Sequence, residues 1–112
     1  MIKKFHIYVA DLEPSFGAEP GKLRPVVVVQ ADALNEAHFT TIVCSLTTNI
    51  KKVPFLRVHV PATSLSGLSK DSDVMIDQVR SIDIRRLKKH LGRLNEVQSL
   101  EVIKSLSVLI NE

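Results

Sequence analysis

Tryptophan is missing from this sequence, and tyrosine and cysteine occur once each. With so few aromatics, packing of the interior falls to aliphatic side chains. One cysteine, Cys44, excludes an internal disulfide framework. Its setting, the apolar stretch TTIVCSL, marks a buried inert thiol rather than a nucleophile. No apolar run approaches the length of a membrane span. The opening MIKKFHIY has no continuous apolar segment of the secretory kind, so a cytoplasmic protein is the expectation. Charge of one sign is not abundant either. Fifteen Lys and Arg stand against twelve Asp and Glu, a net +3 that biases the chain only mildly toward anionic partners. The four histidines are scattered, with no H-x-H or HExxH spacing, so no metal is expected. GxGxxG, P-loop and GxSxG patterns are absent as well, and no cofactor is expected. A histidine pair for acid–base work, such as His6 with His59, is a weaker reading than two imidazoles decorating polar strand faces.

What is present suits one domain spanning residues 1–112, with 45% hydrophobic residues to fill a core. FHIYVADL alternates as a first strand. EPSFGAEPGK, with two Pro and two Gly, is a long loop. Pro25 to Gln30 carries four valines without alternation and reads as a central strand buried on both faces. DALNEAH is a short crossing with room for one helical turn. FTTIVCSL is a third strand, and FLRVHVPA places Leu56, Val58 and Val60 on one side with Arg57 and His59 on the other. VMIDQVRSID forms one or two strands near a bend, and IRRLKKHLGRL a basic turn with a short strand. The tail is a helix, capped by Asn95 with Gln98 answering back. Val97, Leu100, Ile103, Leu106 and Ile110 recur at helical spacing and predict its packed stripe. Strands followed by a helix argue for an α+β, mainly β fold: a twisted antiparallel sheet or small barrel with the helix packed on it.

Three features carry chemistry. Arg24 is pushed into extended conformation by Pro25 and stands where the Gly/Pro loop meets a stiff strand, able to present a guanidinium fork to a phosphate. Thr47 and Thr48 in SLTTN offer neutral donors at the exit of the third strand. IDQVRSID supplies Asp77, Gln78 and Arg80, an acceptor, an amide and a second guanidinium. Each also has a plain structural reading: a surface ion pair, strand-loving threonines, a solvated strand edge.

Together these pieces resemble the MazF/PemK family of bacterial toxins, the mRNA interferases. The likeness runs from HIYVADLEPSFGAEPGKLRPVVVVQ through IVCSLTTN and DSDVMIDQVRSIDIRRL to the final helix. It implies a small SH3-like curved barrel with a C-terminal helix, the fold shared with CcdB-like toxins. It implies a homodimer. It implies metal-independent, sequence-specific cleavage of single-stranded RNA by 2′-hydroxyl attack, leaving 2′,3′-cyclic phosphate and 5′-hydroxyl ends. Carried over residue by residue, Arg24, Thr47 and Asp77 take the catalytic positions. Phe16, Glu19, Lys22, Thr48, Gln78 and Arg80 take RNA-binding ones. The implied partners are the RNA substrate and a cognate antitoxin with an acidic disordered segment, for which RRLKKHLGR is a candidate surface; no membrane is involved. Two departures stand out: Lys4-Phe5-His6 replaces the Arg-Gly-Asp or Arg-Gly-Glu of many members, and Ala18 replaces a loop histidine of some. The alternative is a CcdB-like toxin that poisons DNA gyrase by binding; such a toxin needs no phosphate-stabilising pair at Arg24 and Thr47.

Overall fold

The computed structural model describes residues 2–13, 17–18 and 22–111. Among these residues, seven strands and two α-helices follow in the order β1 (His6–Asp11), β2 (Leu23–Val28), α1 (Asp32–Ala37), β3 (Thr40–Thr47), β4 (Arg57–Val60), β5 (Ser72–Met75), β6 (Arg80–Asp83), β7 (Leu87–Arg93) and α2 (Glu96–Asn111). Every pairing is antiparallel. The main path runs β4-β5-β3-β2-β1-β7, and β6 also pairs with β3. The sheet therefore curves strongly but stays open, with β4 and β7 as ends of the path, rather than closing into a full barrel.

β3 is the longest strand and organises the rest. Its first half, Thr40 to Val43, pairs with β6, and its end, Leu46 and Thr47, pairs with β5. Between β5 and β6 the 3-10 turn Ile76–Gln78 loops out of the ladder. The expected bend in VMIDQVRSID is this turn.

The unalternated valines of β2 behave as their pattern predicts. Val27 faces a first cluster with Ile7, Cys44, Leu46, Val58, Val74 and Val102. Val26 and Val28 face a second with Tyr8, Ala10, Leu12, Val43 and Ile82. All three valines are fully buried. In β4, Val58 and Val60 point inward while His59 is exposed, as the alternation requires.

α2 begins with the expected reciprocal cap. Asn95 Oδ1 accepts from the Gln98 amide at 2.8 Å, and Gln98 Oε1 accepts from the Asn95 amide at 2.8 Å. The face it buries is not the predicted one. Val102 and Ser105 are inside, with Leu106 against the core, whereas Val97, Leu100, Ile103 and Ile110 are exposed. Leu94 explains the turn of the helix. It is buried just ahead of the cap and its amide donates to Phe5 O at 2.9 Å. Counting by helical turns from that anchor brings Gln98, Val102 and Ser105 inward.

At the start of β1, Phe5 takes a left-handed backbone, φ +67°, a conformation that favours glycine. For an L-residue that costs about 1–2 kcal/mol. Its ring packs against the first cluster and its amide donates to Val28 O at 2.6 Å, contacts that hold the turn against that strain.

Candidate active site

Arg24 lies in β2 directly before Pro25, whose missing N–H and fixed φ keep the chain extended at this point. β2 and β3 pair Val26 with Ser45, and two steps further along the same register sets Arg24 across from Thr47. The guanidinium is half-buried, and its Nη1 donates to Leu46 O at 3.3 Å. This bond ties it beside Thr47, and among the described residues it forms no ion pair. Thr47 is half-buried at the strand exit, and its Oγ1 accepts from the Asn49 amide at 3.2 Å. That bond uses an oxygen lone pair and leaves the O–H free to donate.

Residues paired across an antiparallel sheet share a face, so Arg24, Thr47, Ser45 and Arg80 all project from one side. Arg24 Nε, Ser45 Oγ and Arg80 Nη1 are buried and, among the described residues, have no hydrogen-bond partner. Buried donors left unpaired cost about 1–3 kcal/mol each. Three on one face, two of them cationic, suit an anionic ligand.

The other predicted residues are more dispersed. Asp77 is exposed on the 3-10 turn, and among the described residues no hydrogen bond joins it to Arg24 or Thr47. Its charge acts on Cys44, on the opposite face of β3. Burial, with that charge second, pushes the Cys44 thiol up to about 12. Gln78 is half-buried and Thr48 exposed. Lys22 is exposed at φ +60°; its amide donates to Glu13 Oε1 at 2.7 Å and its carbonyl accepts from Leu12 at 2.9 Å, closing the neck of the β1–β2 loop. Phe16 and Glu19 lie outside the described residues.

His6 and His59 do not meet. His6 Nδ1 is 2.8 Å from His90 Nε2, and burial, then the charge of His90, lower its pKa. His59 Nδ1 instead lies 3.1 Å from Asp73 Oδ1. Asp73 is the residue that sequence reasoning passed over. It pairs with Thr47 across β3 and β5, is buried, and also accepts from the Lys51 amide at 2.9 Å and Arg57 Nη1 at 3.5 Å. In SKDSDVM it reads as part of a polar turn. Its one signal was position, directly before the apolar run Val74–Met75–Ile76.

RRLKKHLGR is only partly a free basic surface. Arg85 forms a two-pronged contact with Asp83, at 3.0 and 2.8 Å, and holds that carboxyl down at about 2. Arg86 Nη1 donates to the carbonyls of Asp11 and Glu13. Among the described residues no three His, Cys, Asp or Glu side chains form a metal-binding group.

Comparison with known proteins bears on the fold and the family of the chain. Residues 3–110 match the model of the PemK-like, MazF-like toxins of type II toxin-antitoxin systems. An endoribonuclease MazF of Staphylococcus epidermidis is 38% identical over 109 residues, covering 96% of this chain and 90% of the relative. MazF of Deinococcus radiodurans superimposes with a TM-score of 0.84 at 28% identity, over 99% of this chain and 97% of that one. The same organism's MazF in a MazE–MazF structure gives a TM-score of 0.79 at 29% identity, over 98% and 96% of the two chains. The gyrase-binding alternative is not favoured by these matches. The family model matched over residues 3–110, with a curated relative 38% identical along nearly the whole chain and the same open curved sheet in solved structures, places the chain in the family of PemK-like, MazF-like toxins of type II toxin-antitoxin systems.

Proposed function

We propose that this protein is a sequence-specific endoribonuclease that cuts single-stranded RNA without a metal. The observation that carries the reading is Arg24 held at 3.3 Å by Leu46 O, the carbonyl next to Thr47. In the proposed step the ribose 2′-oxygen bonds to the adjacent phosphorus and the bond to the 5′-oxygen breaks. The products are a 2′,3′-cyclic phosphate and a 5′-hydroxyl. Negative charge gathers on the non-bridging oxygens as this happens. A guanidinium keeps its proton at physiological pH, so Arg24 acts as fixed positive charge rather than as base. Thr47 donates to one of the same oxygens, and both act most strongly where charge develops. The 2′-hydroxyl proton goes to a base, a role we assign to Asp77, exposed on its turn and reachable by bound RNA, and the departing 5′-oxygen takes up a proton from water. Lys22, Thr48, Gln78 and Arg80 hold the strand on either side, with Phe16 and Glu19 of the β1–β2 loop contributing base contacts.

The same reading gives the protein a cytoplasmic setting and a cognate antitoxin whose acidic disordered segment crosses the basic face. It also gives it a second copy of itself. The test is cleavage of a defined single-stranded RNA in excess EDTA, with end-group analysis. Cleavage survives the chelator and yields cyclic-phosphate ends. Arg24→Ala and Thr47→Val each lower the rate on the order of 100- to 1,000-fold. Asp77→Asn slows cleavage at unchanged RNA affinity. RNA left intact by the folded wild-type protein rejects the reading.

A further inference from the structure

Beside Thr47 lies a groove that the proposed cleavage step does not use. It has a volume of about 580 Å³ and extends from Asp73 and His59 beneath the β3–β4 loop to Glu101 of α2. Ile50, Val53 and Pro54 give it apolar walls. Lys51 and Lys52 stand on its loop side, and Arg57 on β4. Apolar walls with a few fixed polar groups are the usual make-up of a small-ligand site.

The polar floor is unusually well fixed. A carboxylate only accepts hydrogen bonds, so the contact between His59 and Asp73 has His59 Nδ1–H donating to Asp73 Oδ1. That leaves Nε2 facing away from the carboxylate. It accepts from a ligand N–H when the ring is neutral and donates when the ring is protonated. The His59 side chain is 49% exposed while Asp73 is 2% exposed, so a buried group orients an accessible one.

The groove is also coupled to Thr47. Asp73 Oδ2 accepts from the Lys51 amide at 2.9 Å and from Arg57 Nη1 at 3.5 Å. The same Arg57 Nη1 donates to Asn49 O at 2.9 Å, and the Asn49 amide donates to Thr47 Oγ1 at 3.2 Å. A continuous chain of hydrogen bonds therefore runs from His59 to Thr47. Thr47, Asp73 and His59 are register partners on three adjacent strands, so two strand spacings separate the ends, about 10 Å. His59 is too far to share a phosphorus with Thr47 and is placed for a neighbouring nucleotide.

We infer that this groove is a base-binding subsite for a nucleotide next to the cleaved bond, with His59 as its specificity-determining residue and Asp73 positioning it. The inference rests on the RNA-cleaving reading above. Single-stranded RNA presents splayed bases that stack on flat side chains and hydrogen-bond through their edges, and the imidazole offers both. Lys51 and Lys52 serve the adjoining backbone. A carboxylate stands at either end of the groove, Asp73 at one and Glu101 at the other, which disfavours a phosphate against the ends and favours a neutral base between them.

The test is cleavage of a randomised single-stranded RNA pool by wild type, His59→Phe, Asp73→Asn and Arg24→Ala, read by sequencing the ends. His59→Phe keeps a flat ring and loses the hydrogen bond. It relaxes preference at one position flanking the cut by about tenfold and leaves the other positions and the Arg24 dependence intact. Asp73→Asn relaxes the same position, and the double variant relaxes it no further than His59→Phe alone. An unchanged preference profile in an active His59→Phe protein overturns the subsite, as does weakened antitoxin binding with cleavage preference intact. A wild-type protein that cuts nothing in the pool rejects the enzyme reading itself, a separate result.

Discussion

Arg24 and Cys44 show two opposite uses of a strand-borne side chain. Arg24 sits at the end of β2, where Pro25 holds the backbone extended and Leu46 O holds the guanidinium. Its local chemistry was legible in RPVVVV, since Pro after Arg constrains the Arg directly. Its partner was not, because pairing with Thr47 depends on which strands become neighbours. Cys44 points the other way, into the first cluster, fully buried. Burial, with the Asp77 carboxylate adding to it, keeps the thiol protonated with a pKa of about 12. The thiolate is the reactive form, so folded protein should resist alkylation by iodoacetamide at neutral pH and react at once in denaturant. Cys44→Ser should lower stability by about 1–3 kcal/mol, through the buried hydroxyl, and leave cleavage per folded molecule unchanged. Rapid labelling of the native protein, or an inactive well-folded serine variant, contradicts this assignment.

The elements were easier to read than their contacts. Strand positions followed alternation and the valine run, and the cap of α2 followed Asn95 and Gln98, because each depends on neighbours a few residues away. The buried face of α2 was misread. The helix carries apolar residues on more than one side, and only the anchoring of Leu94 by Phe5 O selects Val102 over Leu100. Asp73 was missed for a related reason: its role exists only once β3, β4 and β5 are paired. The gap between the two ends of the sheet is spanned by equally non-local loop contacts. There the loop before β5 crosses β7, and the Arg93 amide donates to Leu65 O at 2.9 Å. A Cβ at Gly92 would stand 2.2 Å from Leu65 O, and one at Gly67 would stand 1.9 Å from Leu91 O. Both obstacles are backbone, which no rotamer change moves aside. Gly92→Ala should therefore destabilise the protein by about 1–3 kcal/mol, the usual cost of overpacking. The readout is a lower urea midpoint at an unchanged slope, reporting lost stability without a change in surface exposed on unfolding. An unshifted midpoint means that the two segments separate more easily than their packing indicates.

At the scale of the whole molecule, the order of strands and helix was enough to give a twisted antiparallel sheet or small barrel with a terminal helix, because few other layers can bury such a set of apolar faces; that the sheet stays open depends on which strands become its ends. Assembly depends on surfaces, and here the misread stripe becomes informative. Val97, Leu100, Ile103 and Ile110 are 65%, 59%, 41% and 74% exposed along one side of α2. Isolated exposed apolar residues are ordinary; a row of them at helical spacing marks an interaction surface. Grooves beside the row are lined by Phe5, Leu94 and Leu106, which join it to the first cluster. We expect a second copy of the chain to cover this face, since a twofold contact needs only one self-complementary patch. Leu100→Lys and Ile103→Lys place charges in the middle of that patch, at positions whose exposure lets each monomer fold unaltered. In sedimentation equilibrium the wild type should behave as a dimer and the double variant as a monomer with the same circular dichroism. If the double variant remains a dimer, association uses another face, and the row on α2 is left for the antitoxin. If it becomes a folded monomer that no longer cuts RNA while Arg24 and Thr47 are intact, the groove that holds the RNA is completed only between two copies.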